Sequence, residues 1–474
     1  MKNLFTFPGG IKLKANKHGS SSQAVQKAAL SHRLILPLQQ NIGSAAKAIV
    51  NVGDQVYKGQ IIARDIDEIS VPVHAPTSGI ISSIEKHPIP HPSGLWAKCI
   101  IITTDGEDKS RRAGNRCINY LEKTPEEIRI GIHNAGIVGL GGAGFPSAIK
   151  LNIKDTRIDT LIINGAECEP YITCDDSLMQ QHALQIVEGA KILKHAVQAK
   201  ACIIAIENNK PEAIARIKQA VVEREADDIE VRKIPTVYPT GGEKQLIQTL
   251  TGKEVPQQQI PLTVNIVCLN VATAYAVYNA IRHGEPLISR FVTIAGSVAK
   301  ARNLDALIGT PMTDLIKQCG GNPASLSRII MGGPMMGYAM RDHKVPMIKT
   351  TNCILANSVV ADVPMPSRLN QSLPCIRCGK CAEACPVNLL PQQLYWHAKS
   401  KDLDKVQDYN LFDCIECGCC DYVCPSHIPL VQYYRFAKST IWNKEREKEL
   451  ADRSRLRHDF RLARIEREKA AKAA

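Results

Sequence analysis

The sequence predicts a multidomain chain of mixed α/β and α+β class, and three observations support this. Short apolar runs separated by turn signals fill residues 30–105, apolar runs alternate with amphipathic stretches from 118 to 285, and nine of the 17 cysteines lie between 370 and 430. At about 100–200 residues per domain, 474 residues suffice for two to four domains. Hydrophobic residues make up 44% and charged residues 22%, which excludes wholesale disorder.

Neither export nor a membrane-spanning helix is predicted. The N-terminal stretch 1–10 lacks the apolar run of about 7–15 residues that a secretory signal needs. The uncharged stretch 263–281 is long enough to span a membrane but contains Asn265, Asn270 and Asn279, which indicates a buried segment of a soluble domain. Without export, the cysteines are expected to be buried thiols or metal ligands rather than disulfides.

The first domain, predicted at 1–115, consists of short strands. Residues 49–62 place Gly-Asp and Lys-Gly turns between apolar pairs, and residues 74–81 repeat the pattern. This resembles the β barrel-sandwich module of lipoyl and biotinyl carriers. Their acceptor lysine has no match in 65–70, so we expect a structural domain.

The second domain, predicted at 116–287, is a Rossmann-like α/β domain with a largely parallel sheet. Its expected strands and helices are the runs 160–163, 201–206 and 264–269 and the amphipathic stretches 184–197 and 211–223. A smaller β-grasp-like unit, rich in Gly and Pro, is predicted at 288–350.

The cysteine-rich domain, predicted at 366–434, contains an internal repeat. The spacing Cys-x2-Cys-x2-Cys-x3-Cys-Pro begins at Cys375 and again at Cys414. In two-cluster ferredoxins with this spacing, the fourth cysteine of each run binds the other cluster. The repeat therefore predicts two [4Fe–4S] clusters, one bound by Cys375, Cys378, Cys381 and Cys424, the other by Cys414, Cys417, Cys420 and Cys385.

The cysteine repeat has two other interpretations. Zinc ribbons would leave the third cysteine of each run unexplained, and disulfides do not fit the compartment. Cys419 has Lys380 as its counterpart in the repeat and is expected to be a spare thiol. The eight cysteines outside this region show no ligand spacing and are expected to be core thiols.

A glycine-rich segment at 139–144 predicts a phosphate-binding loop. Four glycines in six positions leave backbone N–H groups unshielded. Gly139, Gly141 and Gly144 meet the spacing of the dinucleotide fingerprint, but the acidic residue that should follow is missing. A purely structural turn is the alternative for this segment taken alone.

Two further segments favour a mononucleotide site. Residues 164–171 follow the predicted strand 160–163, at the end of a strand where ligand sites of α/β sheets collect. Residues 238–246 form a second glycine turn that opens a helix.

These three segments carry a family resemblance. The glycine loop, Asn-x-x-Glu-x-Glu-Pro from Asn164 and Tyr-x-x-Gly-x-Glu from Tyr238 resemble, in the same order, the NADH-oxidising flavoprotein subunit of respiratory complex I. Combined with the barrel-sandwich module and the double [4Fe–4S] domain, they resemble the RnfC subunit of the Rnf electron transport complexes, also called ion-translocating oxidoreductase or Rsx complexes. The likeness extends to about residue 440.

The resemblance implies a binding site for FMN, with NADH as substrate. Gly139, Gly141, Gly142 and Lys150 would face the FMN phosphate and ribityl chain, Asn164 and Glu167 would hold the flavin ring, Phe145 would stack on nicotinamide or adenine, and Glu169 would bind the NADH ribose. Tyr238, Gly241, Glu243, Asn270 and Thr273 would close the pocket. We assign no catalytic residue. Individually, Glu169 as a helix cap, Tyr238 as a core residue and Lys150 as a solvated charge are the alternatives.

The same resemblance implies a peripheral subunit on the cytoplasmic side of the cell inner membrane. Electrons would pass between NADH and membrane subunits through FMN and two clusters, coupled to ion translocation, with ferredoxin as a possible reaction partner of the complex. Ala166 and Gly242 replace acidic residues of the complex I pattern. They motivate one alternative, a flavin-less relay and scaffold subunit; a soluble ferredoxin-type oxidoreductase is another.

The net charge of +13 indicates which kinds of partner the chain binds. Residues 435–474 carry 13 Lys and Arg against 7 Asp and Glu and are expected to form a solvated, basic helical tail. No aromatic residues alternate with these charges and no DNA-binding motif occurs, so no nucleic-acid partner is predicted. A membrane surface, reached through partner subunits, or an acidic electron-transfer partner fits better.

Overall fold

A computed structural model describes residues 4–110, 119–154, 156–358 and 372–473. The chain divides into two compact units, Met1–Met365 and Pro366–Ala474. The predicted boundary between the first two domains, at 115 and 116, lies outside the described residues.

The predicted barrel-sandwich module is present near the start of the first unit. Its two antiparallel sheets have four and three strands. Leu34 and Leu36 lie on one face of a strand and Ile35 on the other, and all three are buried because both faces of that strand are covered. The seven strands are Arg33–Pro37, Lys47–Ala48, Gln55–Val56, Ile61–Arg64, Val73–His74, Gly79–Pro88 and Trp96–Thr104.

The α/β domain follows, and its four strands are parallel. In spatial order they are Ile229–Ile234, Ala201–Glu207, Thr160–Gly165 and Ile266–Asn270. Three of them confirm predicted strands. Apolar side chains alternate between two cores, with Ile162 on one face and Leu161 and Ile163 on the other.

Helices cover this sheet, and the two predicted ones are confirmed as Ala183–Ala196 and Pro211–Glu223. The stretch 263–281 forms a strand and a largely buried helix, as expected. Among the described residues, no helix combines the length and apolarity needed to cross a bilayer. The remaining helices are Pro125–Asn134, Ser147–Lys150, Cys174–Gln181, Glu243–Thr251 and Val271–Tyr278, with shorter turns at Tyr120–Glu122, Pro261–Val264 and Asn279–His283.

The small domain is a six-stranded mixed sheet with helix Met312–Gln318 beside it. Its predicted limits, 288 and 350, are too narrow. Strand Cys353–Ser358 pairs with two other strands inside this sheet, and Gln26–Lys27 forms its edge. Both additions come from non-local pairing that a linear pattern does not reveal. In spatial order the strands are Gln26–Lys27, Arg302–Leu307, Ser289–Gly296, Cys353–Ser358, Leu326–Met331 and Tyr338–Ala339.

A leading segment, residues 11–27, runs along the domains that follow the barrel-sandwich module in sequence. The backbone of Ile11 pairs with that of Tyr238, with N···O distances of 2.8 and 2.9 Å. Helix His18–Ser21 follows, and Ser20 packs near Thr173, whose hydroxyl lies 2.8 Å from Ser20 Oγ. The first residues of the predicted first domain therefore pack against the α/β domain and the small domain.

Among its described residues, the second unit has helices joined by irregular segments and has no strand. Its helices are Lys380–Glu383, Pro391–Ser400, Leu403–Asp408, Cys419–Tyr422 and Leu430–Ala473, with a turn at Leu411–Asp413. The last helix begins before the predicted limit at 434 and 435. Tyr434, Ala437 and Ile441 are buried in the core of this unit, so the solvated part of the tail starts only after Ile441.

Candidate functional site

The glycine-rich segment forms a tight loop. Gly139 N donates to Phe145 O at 2.8 Å, and Gly144 N donates to Gly139 O at 3.2 Å. Gly142 and Gly144 have φ of +111° and +68°, a backbone region that side chains rarely tolerate. The tip at 141–143 is exposed. The helix after the loop is one turn, Ser147–Lys150, so the N–H groups of the loop, rather than a helix dipole, are available to an anion.

Two buried side chains anchor this loop at Leu140. The Thr273 hydroxyl accepts from Leu140 N at 3.1 Å, and Arg290 Nη2 donates to Leu140 O at 3.1 Å. Thr273 is fully buried and Arg290 is 5% exposed. Thr273 was predicted to join the flavin pocket, and the structure places its hydroxyl on the backbone of the loop.

The carboxyl ends of two neighbouring strands meet the loop. Asn164 Nδ2 donates to Gly241 O at 2.9 Å, and Asn164 Oδ1 accepts from Ala166 N at 3.0 Å. Asn270 caps the following helix by accepting from Ala272 N at 2.8 Å. A Cβ atom built on Gly141 would lie 3.5 Å from Asn270 Cβ, so the loop tip and the strand end adjoin.

The second glycine turn closes the same edge of the sheet. A side chain at Gly241 would crowd Ala166 O and Cys168 Sγ. Glu243, the first residue of its helix, lies 2.5 Å from Lys150 Nζ, so two predicted site residues from different segments form an ion pair. Tyr238 is 2% exposed.

Glu167 lies in a buried charge cluster. It is 6% exposed, and its Oε1 accepts from Asp175 N at 2.8 Å. Its Oε2 lies 3.8 Å from Lys17 Nζ and 3.7 Å from Lys210 Nζ, and no described residue forms a hydrogen bond with it. A buried carboxylate oxygen without such a bond is costly unless a ligand satisfies it.

The neighbours of Glu167 were missed from the sequence. Lys210 Nζ also pairs with Glu207 Oε2 at 2.9 Å. Burial, with the nearby Glu167 charge, raises the pKa of Asp175 to about 6. The sequence could have indicated these residues only through their positions: Glu207 ends a strand at this edge of the sheet, and Lys210 follows three residues later.

Glu169 binds the small domain of the same unit. Its carboxylate accepts from Met335 N at 3.2 Å and Met336 N at 2.7 Å, and a side chain at Gly333 would collide with it. Burial raises the pKa of Glu169 to about 7, although the two N–H groups oppose the shift. Its contact with NADH ribose stays a prediction, as does stacking by the half-buried Phe145.

These features fit FMN. An exposed glycine tip offers N–H groups for a phosphate, and Asn164 and Asn270 mark the carboxyl edge of a parallel sheet. Glu167 Oε2, which accepts no hydrogen bond from the described residues, supplies a buried acceptor for a ring N–H. Gly141 and Lys150, two of the four residues predicted to face the FMN phosphate and ribityl chain, flank the same edge.

The eight repeat cysteines surround two cavities of the second unit, as the crossed assignment requires. The first cavity is lined by Cys375, Cys378, Cys381 and Cys424, and the second by Cys385, Cys414, Cys417 and Cys420. The four repeat cysteines around each cavity match in number the four iron atoms of a [4Fe–4S] cluster. The donor set therefore fits the clusters.

Cys419 also lines the second cavity and is fully buried. The hydrogen bond between the two thiols raises the pKa of Cys419 and lowers that of Cys417. Of the eight predicted core thiols, six are buried, Cys168 is half-buried and Cys117 lies outside the described residues.

Four family models match the chain. They are the RnfC barrel sandwich hybrid domain at residues 5–107, the Nuo51 FMN-binding domain at 132–279, the SLBB domain at 291–339 and the 4Fe-4S dicluster domain at 374–428. FMN and two [4Fe–4S] clusters are thus the cofactors of these domains.

Relatives match along nearly the whole chain. Proteins named as the C subunit of the ion-translocating oxidoreductase complex are 48% identical in Vibrio cholerae O395, over 98% of this chain and 60% of the relative, and 46% identical in Pseudomonas aeruginosa, over 100% and 60%. The protein of that name in Yersinia pestis bv. Antiqua is 46% identical over 99% of this chain and 74% of its own length. The chain spans about 60% of the length of the first two.

A solved structure, that of an NAD+-reducing [NiFe]-hydrogenase in the H2-reduced state, is 18% identical with a TM-score of 0.46, covering 64% of this chain and 60% of that one. On the strength of the relatives, the chain belongs to the family formed by the C subunits of ion-translocating oxidoreductase complexes.

Proposed function

We propose that this chain passes electrons between NADH and the other subunits of a membrane-bound, ion-translocating oxidoreductase complex. Electrons would enter or leave at a flavin pocket in the first unit and travel through two clusters in the second. The observation that carries the proposal is the presence, in one chain, of a glycine loop at the carboxyl edge of a parallel sheet and of two cavities that are each lined by four repeat cysteines.

In the flavin pocket, the N–H groups of Gly141 and Gly142 would bind the FMN phosphate. Lys150, held by Glu243, would contribute a positive charge near the ribityl chain. Thr273 and Arg290 fix the loop through Leu140, so its donors need little reorganisation on binding.

The flavin ring would lie against Asn164 and Glu167. The Asn164 amide is already held by Gly241 O and Ala166 N, and Glu167 Oε2, which has no hydrogen-bond partner among the described residues, would accept from the ring. Lys17 and Lys210 place two positive charges within 4 Å of this oxygen. Phe145 would stack on the nicotinamide or adenine of NADH.

FMN, when bound, accepts electrons in pairs and releases them singly, which links NADH to one-electron carriers. The eight cysteines would each supply a thiolate, and the N–H groups of Arg377, Glu416 and Leu389, each 3.4 Å from a cysteine sulfur, would stabilise negative charge there. Attachment to the cytoplasmic face of the inner membrane would come through partner subunits.

The test is anaerobic purification followed by assay of iron, sulfide and FMN per chain and addition of NADH. We expect about eight iron atoms and one FMN per chain, and loss of cluster absorbance within the mixing time. A flavin-less relay would instead be reduced by dithionite and not by NADH, and that result would contradict the proposal.

A matched pair of variants locates the pocket. Gly141→Leu places a side chain toward Asn270 at a position with ordinary backbone angles, whereas Ala143→Leu changes the exposed loop tip two residues away. Gly141→Leu should abolish NADH-driven reduction and FMN retention while dithionite still reduces the clusters. Retention of FMN by Gly141→Leu would place the flavin elsewhere.

A further inference from the structure

The two halves of the second unit repeat one local structure. Gly379 and Gly418 both have φ of +77°, and Arg377 and Glu416 both have φ of +56°. Each pair occupies matching positions of the cysteine repeat. Any difference between the halves in exposure therefore reflects what covers them rather than a different fold.

The second half is covered by the long C-terminal helix. Glu416 accepts from Arg435 Nε at 2.8 Å and Lys438 Nζ at 2.9 Å, and Lys438 Nζ donates to Cys414 O at 2.6 Å. Trp442, on the same helix, lies with its ring 5.7 Å from that of Phe412.

The first half has no such cover among the described residues. Ile376 is 66% exposed, and Arg377 and Cys378 are exposed as well. Of the residues that the structure describes, those that line the first cavity include Arg377 and no carboxylate.

An aromatic side chain with a cation above it extends this surface. Trp396 is 44% exposed, and its ring lies 5.1 Å from that of Tyr395. Lys399 Nζ lies 5.6 Å from the Trp396 ring and 5.4 Å from the Tyr395 ring. The exposed Trp is therefore held in place, as an anchor of a binding surface is. We call Ile376, Arg377, Cys378, Trp396 and Lys399 the cluster face.

We propose that the cluster face is the docking surface for an acidic one-electron redox protein, and that electrons cross between the partner and the cluster bound by Cys375, Cys378, Cys381 and Cys424. This deepens the proposed function and rests on it. The apolar centre, Ile376 and Trp396, would exclude water, while Arg377 and Lys399 would attract carboxylates at the rim. Because Cys378 reaches the surface, a docked partner comes close to this cluster.

The step transfers one electron. The protein is oxidised by one electron, the redox centre of the partner is reduced by one, and no bond or proton moves. The reverse direction balances in the same way.

The experiment uses the full chain with both clusters reconstituted, reduced with dithionite and freed of excess reductant. Its probes are oxidised plastocyanin, an acidic one-electron protein, cytochrome c, a basic one, and neutral p-benzoquinone. At low salt we expect plastocyanin to oxidise the protein about tenfold faster than cytochrome c does, with a rate that falls as salt is added. Lys399→Glu and Ile376→Glu should each slow plastocyanin about tenfold and leave the quinone rate unchanged.

Arg457→Glu is the matched control, because it makes the same charge change as Lys399→Glu on the exposed part of the C-terminal helix. The iron content of every variant is measured. If Ile376→Glu loses iron, Lys399→Glu still tests the face, because Lys399 is distant in sequence from the cluster ligands. Equal slowing by Arg457→Glu, unchanged plastocyanin rates in both face variants, or faster oxidation by cytochrome c would overturn the inference. Dithionite supplies the electrons, so failure of the NADH reaction remains a separate result.

Discussion

Asn164 and Asn270 lie opposite each other in register at the carboxyl ends of two adjacent parallel strands, and each side chain fixes a different segment. Asn164 holds the second glycine turn through Gly241 O, and Asn270 binds Asp175 Oδ2 at 2.7 Å and caps the next helix. The strand register thus positions three segments of the candidate site: the second glycine turn, the segment of Asp175 and the helix that follows Asn270.

Asn164→Leu should weaken FMN binding. The change removes the bond to Gly241 O and leaves Ala166 N without its acceptor, a loss of about 1.4 kcal/mol, or about tenfold in the dissociation constant. Titration of the apo-protein with FMN, followed by flavin fluorescence, measures it. Asn208→Leu is the control, since Asn208 is exposed and follows the neighbouring strand Ala201–Glu207 at the same edge. A constant equal to that of the wild type would remove Asn164 from the site.

Thr273→Val should loosen the glycine loop. Valine keeps the shape but leaves the buried Leu140 N–H without its acceptor, at a cost of about 1–3 kcal/mol. We expect FMN to be lost during gel filtration, while Thr273→Ser, which restores the hydroxyl, retains it. If valine and serine behave alike, the bond to Leu140 does not set the affinity.

Cys424→Ala tests the crossed cluster assignment. The variant should lose the cluster that also needs Cys375, Cys378 and Cys381, so iron should fall from about eight to about four atoms per chain. Cys419→Ala, a change of a buried cysteine beside the second cavity, should keep about eight. To identify the surviving cluster, Cys424→Ala is combined with Cys378→Ala; a further loss of iron in the double variant would contradict the crossing.

Glu169→Gln should flatten part of the dependence of stability on pH. Burial raises the pKa of Glu169 to about 7 in the folded protein, above its value in the unfolded chain. The folded state then holds the proton more tightly, so this group stabilises the fold fully at low pH and progressively less as pH rises through about 7. The melting temperature of the wild type should therefore fall relative to that of Glu169→Gln between acidic and neutral pH; parallel curves would refute the shift.

Local patterns predicted most of the local structure. The strands at Thr160–Gly165, Ala201–Glu207 and Ile266–Asn270 and two helices follow from apolar periodicity. The four cysteines that the spacing assigns to each cluster line one cavity, and their role as ligands stays a prediction. Periodicity and spacing are properties of neighbouring residues, so one sequence displays them.

Contacts between distant segments could not be predicted from the sequence. The sequence around Lys17 does not indicate its ion pair with Glu167, and the sequence around Arg290 does not indicate its hydrogen bond to Leu140 O. The same holds for Glu169, whose partners are backbone N–H groups at Met335 and Met336 that carry no side-chain signature. Tertiary pairing decided these positions, as it decided that Gln26–Lys27 would join the small sheet.

The leading segment has a consequence for biosynthesis. Residues 11–27 leave the ribosome long before their partners, Tyr238 and strand Arg302–Leu307, have been translated. Domains commonly fold in the order in which they emerge, whereas this early stretch can form its native contacts only after most of the first unit has been translated. Insertion of the flavin nucleotide is then expected to be a late, largely post-translational event, because Lys17 reaches Glu167 only when that stretch finally docks.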